Sequence, residues 1–194
     1  MLYTYKRSEC ATFRKTKEQY GGLSNMADGC PIVIGPHTFR SSEHLYQALK
    51  YPTNPTAQLE IITPVSPMAA KMVAKKYVDF EHPKWTYLKI EVMRWCINLK
   101  LIQNPIIFGD LLKSTGDMEI VEDSHKDAFW GAIPQKNDND TLIGLNVLGL
   151  LLWCVRKDYL LKGIEGIERK PRLITELFFD NQNIVELFID SMKL

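Results

Sequence analysis

Residues 38–52 read TFRSSEHLYQALKYP, and this stretch predicts the helix from which the rest of the fold can be worked out. The pair Ser41-Ser42 supplies a hydroxyl that can accept a hydrogen bond from an unpaired N–H group of a first helical turn. The following residues have helical spacing as far as Lys50. Pro52 ends the helix because proline lacks the N–H that a helix interior requires.

Three polar side chains fall on one face of this predicted helix. Positions three, four and seven apart share a face, which brings Glu43, Gln47 and Lys50 into one row. Leucine and alanine side chains on the opposite face supply contact with a core. The row has two interpretations: a solvated face whose charges suit the helix dipole, or a carboxylate and an amine arranged for chemistry.

The composition favours one globular domain without a strong net electrostatic field. With 194 residues, 45% of them hydrophobic, the chain can bury one sizeable core. Lys and Arg number 24 against 23 Asp and Glu, so no net positive field would hold a long polyanion nonspecifically. A small ligand that carries phosphate is compatible with this balance.

Neither metal chemistry nor serine catalysis is indicated by the residue spacing. The histidines lack metal-ligand spacing, and no serine lies in a nucleophile elbow. The cysteines are far apart and form no C-x-x-C pair: Cys10, Cys30, Cys96 and Cys154. We therefore expect reduced thiols, no metal and no cofactor.

The sequence predicts a cytoplasmic protein that does not cross a membrane. Charged residues interrupt the first 15 positions, which argues against an ordinary signal peptide. The longest apolar run, Val147–Val155, is far shorter than the roughly 20 residues that a bilayer requires. This run is expected to form a buried helix.

The pattern of apolar residues, glycines and prolines predicts several helices and one or two short strands in a main body over residues 1–160. Strands are expected at Pro31–Pro36 and Met118–Glu122. Further helices are expected at Thr56–Ile62, Ser66–Lys76, Pro83–Asn104, Pro105–Lys113 and Val147–Tyr159. Residues 161–194 are predicted to form a linker and then a helix from Leu173 to Lys193. Its broad apolar face either caps the domain or joins two chains.

Two further motifs are candidates for ligand contacts. In the loop Asp127–Gly131, Trp130 could form a wall for a planar base or sugar, or it could simply plug a core. Asp127 could bond a hydroxyl or stabilise a developing cation. The segment Gly144–Gly149 opens the apolar helix, whose first N–H groups could bind phosphate. The alternative is that Asn146 only caps the helix.

A series of short motifs appears in a fixed order along the chain. These are Tyr20–Asn25, Phe39-x-x-x-Glu43-His-x-Tyr-Gln-Ala-x-Lys50, Ser66–Ala70, Trp85 before Val92-Met93, Leu112–Asp117, Val121-Glu122, Asp127–Gly131 and Gly144–Gly149. Together they resemble the YbiA-like, or NADAR, family over roughly residues 13–159. One departure is that Ala74-Lys75-Lys76 occupies a stretch where family members often carry a Gly-Arg pair.

The resemblance implies a compact, mostly helical α+β domain with a small β-sheet, followed here by the C-terminal helix. It also implies that the domain binds a ribosyl or ADP-ribosyl ligand and hydrolyses an N-glycosidic bond. Some members cleave ribosylamino pyrimidine intermediates of riboflavin synthesis, and others remove ADP-ribose from guanine. In the latter, a lysine at the position of Lys50 is held to attack the ribose. The implied catalytic residues are Glu43, Lys50 and Asp127. The implied substrate-binding residues are Asn25, Gln47, Trp85, Trp130, Gly131, Asn146 and Gly149.

Two reaction routes fit these residues. A neutral Lys50 amine could form a Schiff base with C1 of the ring-opened ribose, while Glu43 protonates the departing base and later activates water. Alternatively, water attacks directly, Glu43 and Asp127 share the acid and base roles, and Lys50 holds phosphate or hydroxyl.

The expected partner is a small-molecule or nucleoside ADP-ribosyl substrate, with ADP-ribosylated nucleic acid as a larger alternative. ADP-ribosyl-guanine is favoured slightly over the riboflavin intermediate. A different class of function is a non-catalytic sensor of NAD or ADP-ribose that uses the same pocket. A third is an interaction protein whose terminal helix makes a dimer.

Overall fold

The computed structural model describes residues 1–172, 174 and 177–192, and these pack as two compact units. Unit 1 comprises residues 1–27 and 105–167, and unit 2 comprises residues 28–104 with the described part of 168–194. The strands are β1 (Tyr3–Lys6), β2 (Ala11–Phe13), β3 (Ile32–Ile34), β4 (His37–Phe39), β5 (Ile120–Glu122), β6 (Ala132–Gln135), β7 (Asp138–Gly144), β8 (Phe178–Phe179) and β9 (Gln182–Asn183). The α-helices are α1 (Ser42–Ala48), α2 (Pro55–Ile62), α3 (Pro67–Ala74), α4 (Trp85–Gln103), α5 (Asp110–Ser114), α6 (Val147–Lys162) and α7 (Ile184–Ser191).

Unit 1 is built from two small sheets and α6. An antiparallel sheet has the order β1-β7-β6, and β2 pairs with β5 in parallel. The helix α6 packs against β5. Val121, Ala132 and Leu142 form a buried cluster that Tyr5 and Cys10 cover in part. The short strands thus bring the residues that follow β2 and β5 close to one another.

Unit 2 is built around α1. Ser41 caps this helix by accepting the His44 N–H, as the sequence predicts. A helix of seven residues has little stability of its own, and α1 is instead held by contacts with α2, α3 and α4. Every residue of α1 is buried. Glu43 and Gln47 therefore lie inside the unit, and for these two residues the interpretation as a solvated face is wrong.

The mixed helix and strand content confirms the predicted α+β class, and most helices lie where expected. Ser66 caps α3 through its side chain, and α4 ends at Gln103, just before the predicted stop at Asn104-Pro105. The β6–β7 hairpin was not predicted, because β6 contains Pro134 and β7 begins with the polar run Asp138–Asp140. None of the helices in the described ranges combines the length and apolar character of a membrane span.

The predicted terminal helix is only partly present. Its expected first and last residues, Leu173 and Lys193, lie outside the described part of the chain. Between them, β8 and β9 form a hairpin whose turn, Asp180-Asn181, has φ values of 49° and 62°. Aspartate and asparagine tolerate this left-handed region, which suits a two-residue hairpin turn. The helix begins only at Ile184, and its buried residues pack on β3.

Candidate active site

Lys50 follows α1 and lies beside two aromatic rings. Its Nζ atom is 5.7 Å from the ring centroid of Tyr46 and 5.7 Å from that of Trp85. The two rings are 5.2 Å apart, centroid to centroid. The Lys50 carbonyl accepts a hydrogen bond from the His82 N–H at 2.8 Å. These contacts hold the base of the lysine and surround its amine with weakly solvating groups.

The surroundings of Lys50 favour its neutral form. Desolvation by burial is the largest influence and lowers the pKa of the amine, and the nearby Lys71 lowers it further. The carboxylates of Glu81 and Glu43 oppose this shift, the Glu81 Oε2 atom lying 3.7 Å from Nζ. The net lowering increases the fraction of nucleophilic amine near neutral pH.

Lys50 differs from a second lysine with a lowered pKa in the same unit because a substrate can reach its amine. Burial lowers the pKa of Lys100 to about 8, but this residue is only 1% exposed. A substrate could not reach its amine without opening the core. The Lys50 side chain keeps 20% exposure and lines a pocket. Lys50 is therefore the better candidate for a nucleophile.

Glu43 is held inside unit 2 by its neighbour one helical turn away. The residue is 5% exposed, and its Oε1 atom accepts a hydrogen bond of 2.7 Å from Gln47 Nε2. This contact fixes the carboxylate on the same side of α1 as Gln47 and consumes one Gln47 donor. Gln47 thus acts directly on the position of Glu43, and it also lines the pocket that contains Lys50.

The pocket beside Lys50 has a volume of about 310 Å³ and a cationic wall. Lys71 on α3 and Lys75 just after it contribute two further amines. Lysine ammonium groups are common phosphate ligands in proteins. Lys71 and Lys75 therefore offer positive charge for a phosphate beside Lys50. The full lining is Gln47, Lys50, Tyr51, Lys71, Ala74, Lys75, Val78 and Glu81.

In unit 1, the Asp127 carboxylate organises its own loop. Its Oδ1 atom accepts hydrogen bonds from the N–H groups of Phe129 at 3.0 Å and Trp130 at 2.8 Å. The Trp130 ring stands edge-on to Phe129, 5.1 Å away between centroids. These bonds within the loop occupy one of the two carboxylate oxygens of Asp127. Catalysis by Asp127 stays a prediction.

The same loop closes the start of α6. The carbonyls of Gly131, Phe129 and Trp130 accept the N–H groups of Asn146, Val147 and Leu148, at 3.0 to 3.1 Å. The phosphate site expected here required such N–H groups to point outward. Because these three are already bonded within unit 1, the expectation of an open helix end is wrong.

Asn146 and Gly149 both serve the packing of α6 on β5. Asn146 Oδ1 accepts the Glu122 N–H at 3.1 Å, and its Nδ2 donates to the Ile120 carbonyl at 2.8 Å. A Cβ on Gly149 would lie 2.0 Å from the Ile120 carbonyl oxygen, so only glycine allows this approach. Asn146 stands at the N-cap position of α6 with φ of 50°, but its side chain bonds to β5 and makes no capping hydrogen bond to the helix.

Replacing Asn146 should therefore affect stability strongly. Asn146→Ala removes both side-chain hydrogen bonds and places alanine in the left-handed region, so we expect a loss of about 2–4 kcal/mol in the free energy of unfolding. Asn146→Gly removes the same bonds without the backbone strain and should lose about 1 kcal/mol less. Urea unfolding measures both values. Equal losses for the two variants would contradict the strain, and wild-type stability in both would contradict the hydrogen bonds.

The structure sorts the predicted site residues into two groups. Glu43, Gln47, Lys50 and Trp85 lie in unit 2. Asn25, Asp127, Trp130, Gly131, Asn146 and Gly149 lie in unit 1, where Asn25 is buried and the other five meet at the start of α6. Sequence reasoning missed Tyr46, Lys71 and Glu81 as neighbours of Lys50. Tyr46 is separated from Lys50 by one helical turn, which is a usable signal, whereas Glu81 approaches only through tertiary packing.

The comparisons with known proteins give the family. A family model described as NADAR domain matches residues 12–160. The chain belongs to the NADAR domain family. The NMR structure of the Escherichia coli protein YbiA has a TM-score of 0.65 and 30% sequence identity to this chain, covering 79% of this chain and 86% of that one. The fold seen here is thus that of YbiA.

Named relatives extend the similarity to enzymes. A Vibrio vulnificus protein named riboflavin biosynthesis protein is 34% identical over 182 residues, which are 94% of this chain but 42% of that protein. The E. coli (strain K12) protein named N-glycosidase YbiA is 32% identical over 145 residues, 75% of this chain and 85% of its own length. An N-glycosidase of Nostoc punctiforme is 31% identical over 148 residues, 75% and 90% of the two lengths. The chain thus spans less than half of the Vibrio protein and most of the other two.

Proposed function

We propose that this chain is an N-glycosidase, which hydrolyses the bond between a base nitrogen and C1 of a ribose. The observation that carries the proposal is Lys50, an accessible amine whose pKa burial lowers, just after the helix that carries the buried Glu43 carboxylate. Family membership and relatives named N-glycosidase support the same reaction. The amine supplies the nucleophile, and Glu43 in its carboxylic acid form supplies the proton that cleavage requires.

The reaction proceeds through a covalent intermediate on Lys50. When the ribose ring opens, the bond from C1 to the ring oxygen breaks, the oxygen takes the proton of the base nitrogen as a hydroxyl, and C1 becomes an imine of that nitrogen. The Nζ lone pair adds to C1 of the imine, and the bond from C1 to the base nitrogen then breaks, with its electron pair going to the base. The base leaves with a proton from Glu43, and C1 is then joined to Lys50 as a Schiff base. Water, activated by the Glu43 carboxylate, adds to C1 and releases the sugar as its aldehyde and Lys50 as the amine. The net change is addition of one water molecule across the glycosidic bond.

The substrate we favour is an ADP-ribosyl group on guanine. Lys71 and Lys75 beside Lys50 provide charge for a diphosphate, and the pocket of about 310 Å³ accommodates part of a nucleotide. A ribosylamino pyrimidine phosphate of riboflavin synthesis is the second candidate. It is favoured by the Vibrio relative, whose similarity covers 94% of this chain and whose name refers to that pathway.

A direct assay of released base separates these candidates. Purified protein is incubated with ADP-ribosylated guanosine or with the ribosylamino pyrimidine phosphate, and the free base is quantified by chromatography. We expect release from the first substrate and a lower kcat/KM for the second. The reverse order would favour the riboflavin intermediate. Tight binding of both without turnover would refute the glycosidase and support a sensor of ADP-ribose.

The pH dependence of the reaction should respond to Glu81. Activity that requires a neutral amine rises as pH rises through the pKa of Lys50. The Glu81 carboxylate stabilises the ammonium form and so keeps this pKa higher than burial alone would. Glu81→Gln removes that charge, so the rising limb of kcat/KM should move to lower pH, measured from about pH 5 to 10.

An exposed glutamate on the same unit provides the control for this shift. Glu186 lies on α7 and is exposed to solvent. Glu186→Gln changes the net charge by the same amount and should leave the limb in place. A limb that does not move in Glu81→Gln, or that moves equally in both variants, would contradict the assignment of this limb to Lys50.

A further inference from the structure

A second pocket, in unit 1, lies where β2 and β5 end. These two strands are parallel, with Phe13 opposite Glu122, and the Asp123 N–H donates to the Phe13 carbonyl at 2.9 Å. Arg14 follows the first strand and Asp123 the second, so their side chains reach one pocket of about 750 Å³. None of the residues that line this pocket has a role in the reaction proposed at Lys50.

Asp123 in this pocket has an acceptor that the protein leaves unused. The residue is 8% exposed, and its Oδ2 atom accepts a hydrogen bond of 2.9 Å from Arg7 Nη2. Its Oδ1 atom is buried and finds no donor among the described residues. A buried carboxylate oxygen without a donor is unfavourable, and proteins rarely retain one without a ligand or a function. Asp123 lines the pocket, and because the terminal torsion of aspartate is broad, rotation of the carboxylate can turn this oxygen toward a ligand.

Arg7 places hydrogen-bond donors beside that acceptor. A guanidinium has five N–H donors in one plane, and Asp123 Oδ2 takes one of them at 2.9 Å. The Arg7 side chain is 30% exposed in the pocket wall, so its other donors can meet a ligand there. A carboxylate acceptor next to a guanidinium donor is complementary to a ring N–H next to a ring carbonyl. That pair of groups is a lactam, and it forms the pairing edge of guanine and of uracil.

The remaining lining suits a nucleotide that presents such an edge. Tyr20 contributes an aromatic surface on which a base can stack. Arg14, whose Nη2 atom is 3.2 Å from His125 Nδ1, brings a second guanidinium to the same pocket. Its charge can meet a phosphate or sugar oxygen.

We propose that the pocket formed by Arg7, Arg14, Tyr20, Asp123 and His125 binds a lactam-containing nucleobase, with Asp123 accepting the ring N–H and Arg7 donating to the ring carbonyl. This binding requires no chemistry at Lys50, so it can hold or fail independently of the proposed glycosidase.

Titration with guanosine monophosphate tests the pocket. Calorimetry measures the affinity, and the amide NMR signals of Arg14 and Asp123 report where the nucleotide binds. We expect these signals to shift, and we expect 1-methylguanosine monophosphate, which lacks the ring N–H, to bind at least about tenfold more weakly. In Asp123→Asn, the amide oxygen stays on Arg7 and the amide N–H₂ faces the ligand. The lactam N–H then meets a donor, so affinity for guanosine monophosphate should also fall at least about tenfold. Glu186→Gln, an exposed substitution on α7 outside both pockets, serves as the control and should retain these shifts and this affinity.

Three results would overturn the assignment. The first is the absence of shifts at Arg14 and Asp123 at millimolar nucleotide. The second is equal affinity for the methylated and unmethylated nucleotides, a comparison that uses only the wild-type protein and so does not depend on the folding of a variant. The third is unchanged affinity in a folded Asp123→Asn protein.

Discussion

Lys50→Ala should lower kcat for base release by at least about 10³-fold, because removing the nucleophile of a covalent enzyme costs up to about 10⁶ in kcat. The amine of Lys50 lies beside Tyr46 and Trp85 and is accessible from the pocket. Alanine leaves no group that can form a bond to C1. Measuring single-turnover rates with saturating substrate isolates this chemical step. Borohydride added during turnover should give a stable adduct on Lys50 in the wild-type protein, detected by mass spectrometry.

Lys50→Arg is the matched control for this prediction. Arginine retains the positive charge but stays protonated, so it can hold phosphate and cannot act as the nucleophile. We expect it to be as inactive as Lys50→Ala. Activity near the wild-type level in Lys50→Arg, with no borohydride adduct in the wild type, would assign Lys50 to substrate binding and favour direct attack by water.

Glu43→Gln should reduce kcat by about 10²- to 10⁴-fold, the range that general acid–base catalysis contributes. Glutamine has nearly the same size and retains an oxygen that can accept the bond from Gln47 Nε2, which is 2.7 Å long in the native protein. The fold should therefore survive, while the group that protonates the departing base is lost. Pre-steady-state kinetics measure the effect, and thermal unfolding checks the fold.

Gln47→Met provides the comparison for Glu43. It removes the donor to Glu43 without removing the carboxylate, so kcat should fall less than in Glu43→Gln. Wild-type kcat in a folded Glu43→Gln protein would rule out proton transfer by Glu43. A larger loss in Gln47→Met than in Glu43→Gln would show that the position of Gln47 matters more than the acid.

Local rules predicted the helices well. Ser41 and Ser66 both cap helices in the structure, and α4 stops immediately before Asn104-Pro105. Such signals depend on hydrogen bonds and steric limits within a few residues, which a single sequence contains. The terminal hairpin was missed because Phe178 and Phe179 fit a helical pattern as well as a strand. The left-handed turn at Asp180-Asn181 decides between them.

The environment of the candidate site was less predictable than its residues. Spacing alone aligned Glu43, Gln47 and Lys50, but it favoured solvent as their surroundings. Only the packing of α2, α3 and α4 around α1 buries Glu43 to 5% exposure and lowers the pKa of Lys50. Glu81, more than 30 positions along the chain from Lys50, is likewise brought near by tertiary contacts. Burial and long-range charge pairs depend on the whole fold, so a local pattern does not contain them.

The burial of α1 on every side also limits how this protein can evolve. A core substitution that leaves a cavity costs about 2–5 kcal/mol, a large part of the roughly 5–15 kcal/mol that keeps a domain folded. Mutations on α1 are thus rarely tolerated, whatever they do to the chemistry. The wall of the pocket formed by the turn after α3 is different, since Val78 there is exposed, and surface changes usually alter stability by less than about 0.5 kcal/mol. New substrate preferences can arise there by single mutations, while the reactive amine and its carboxylate are retained.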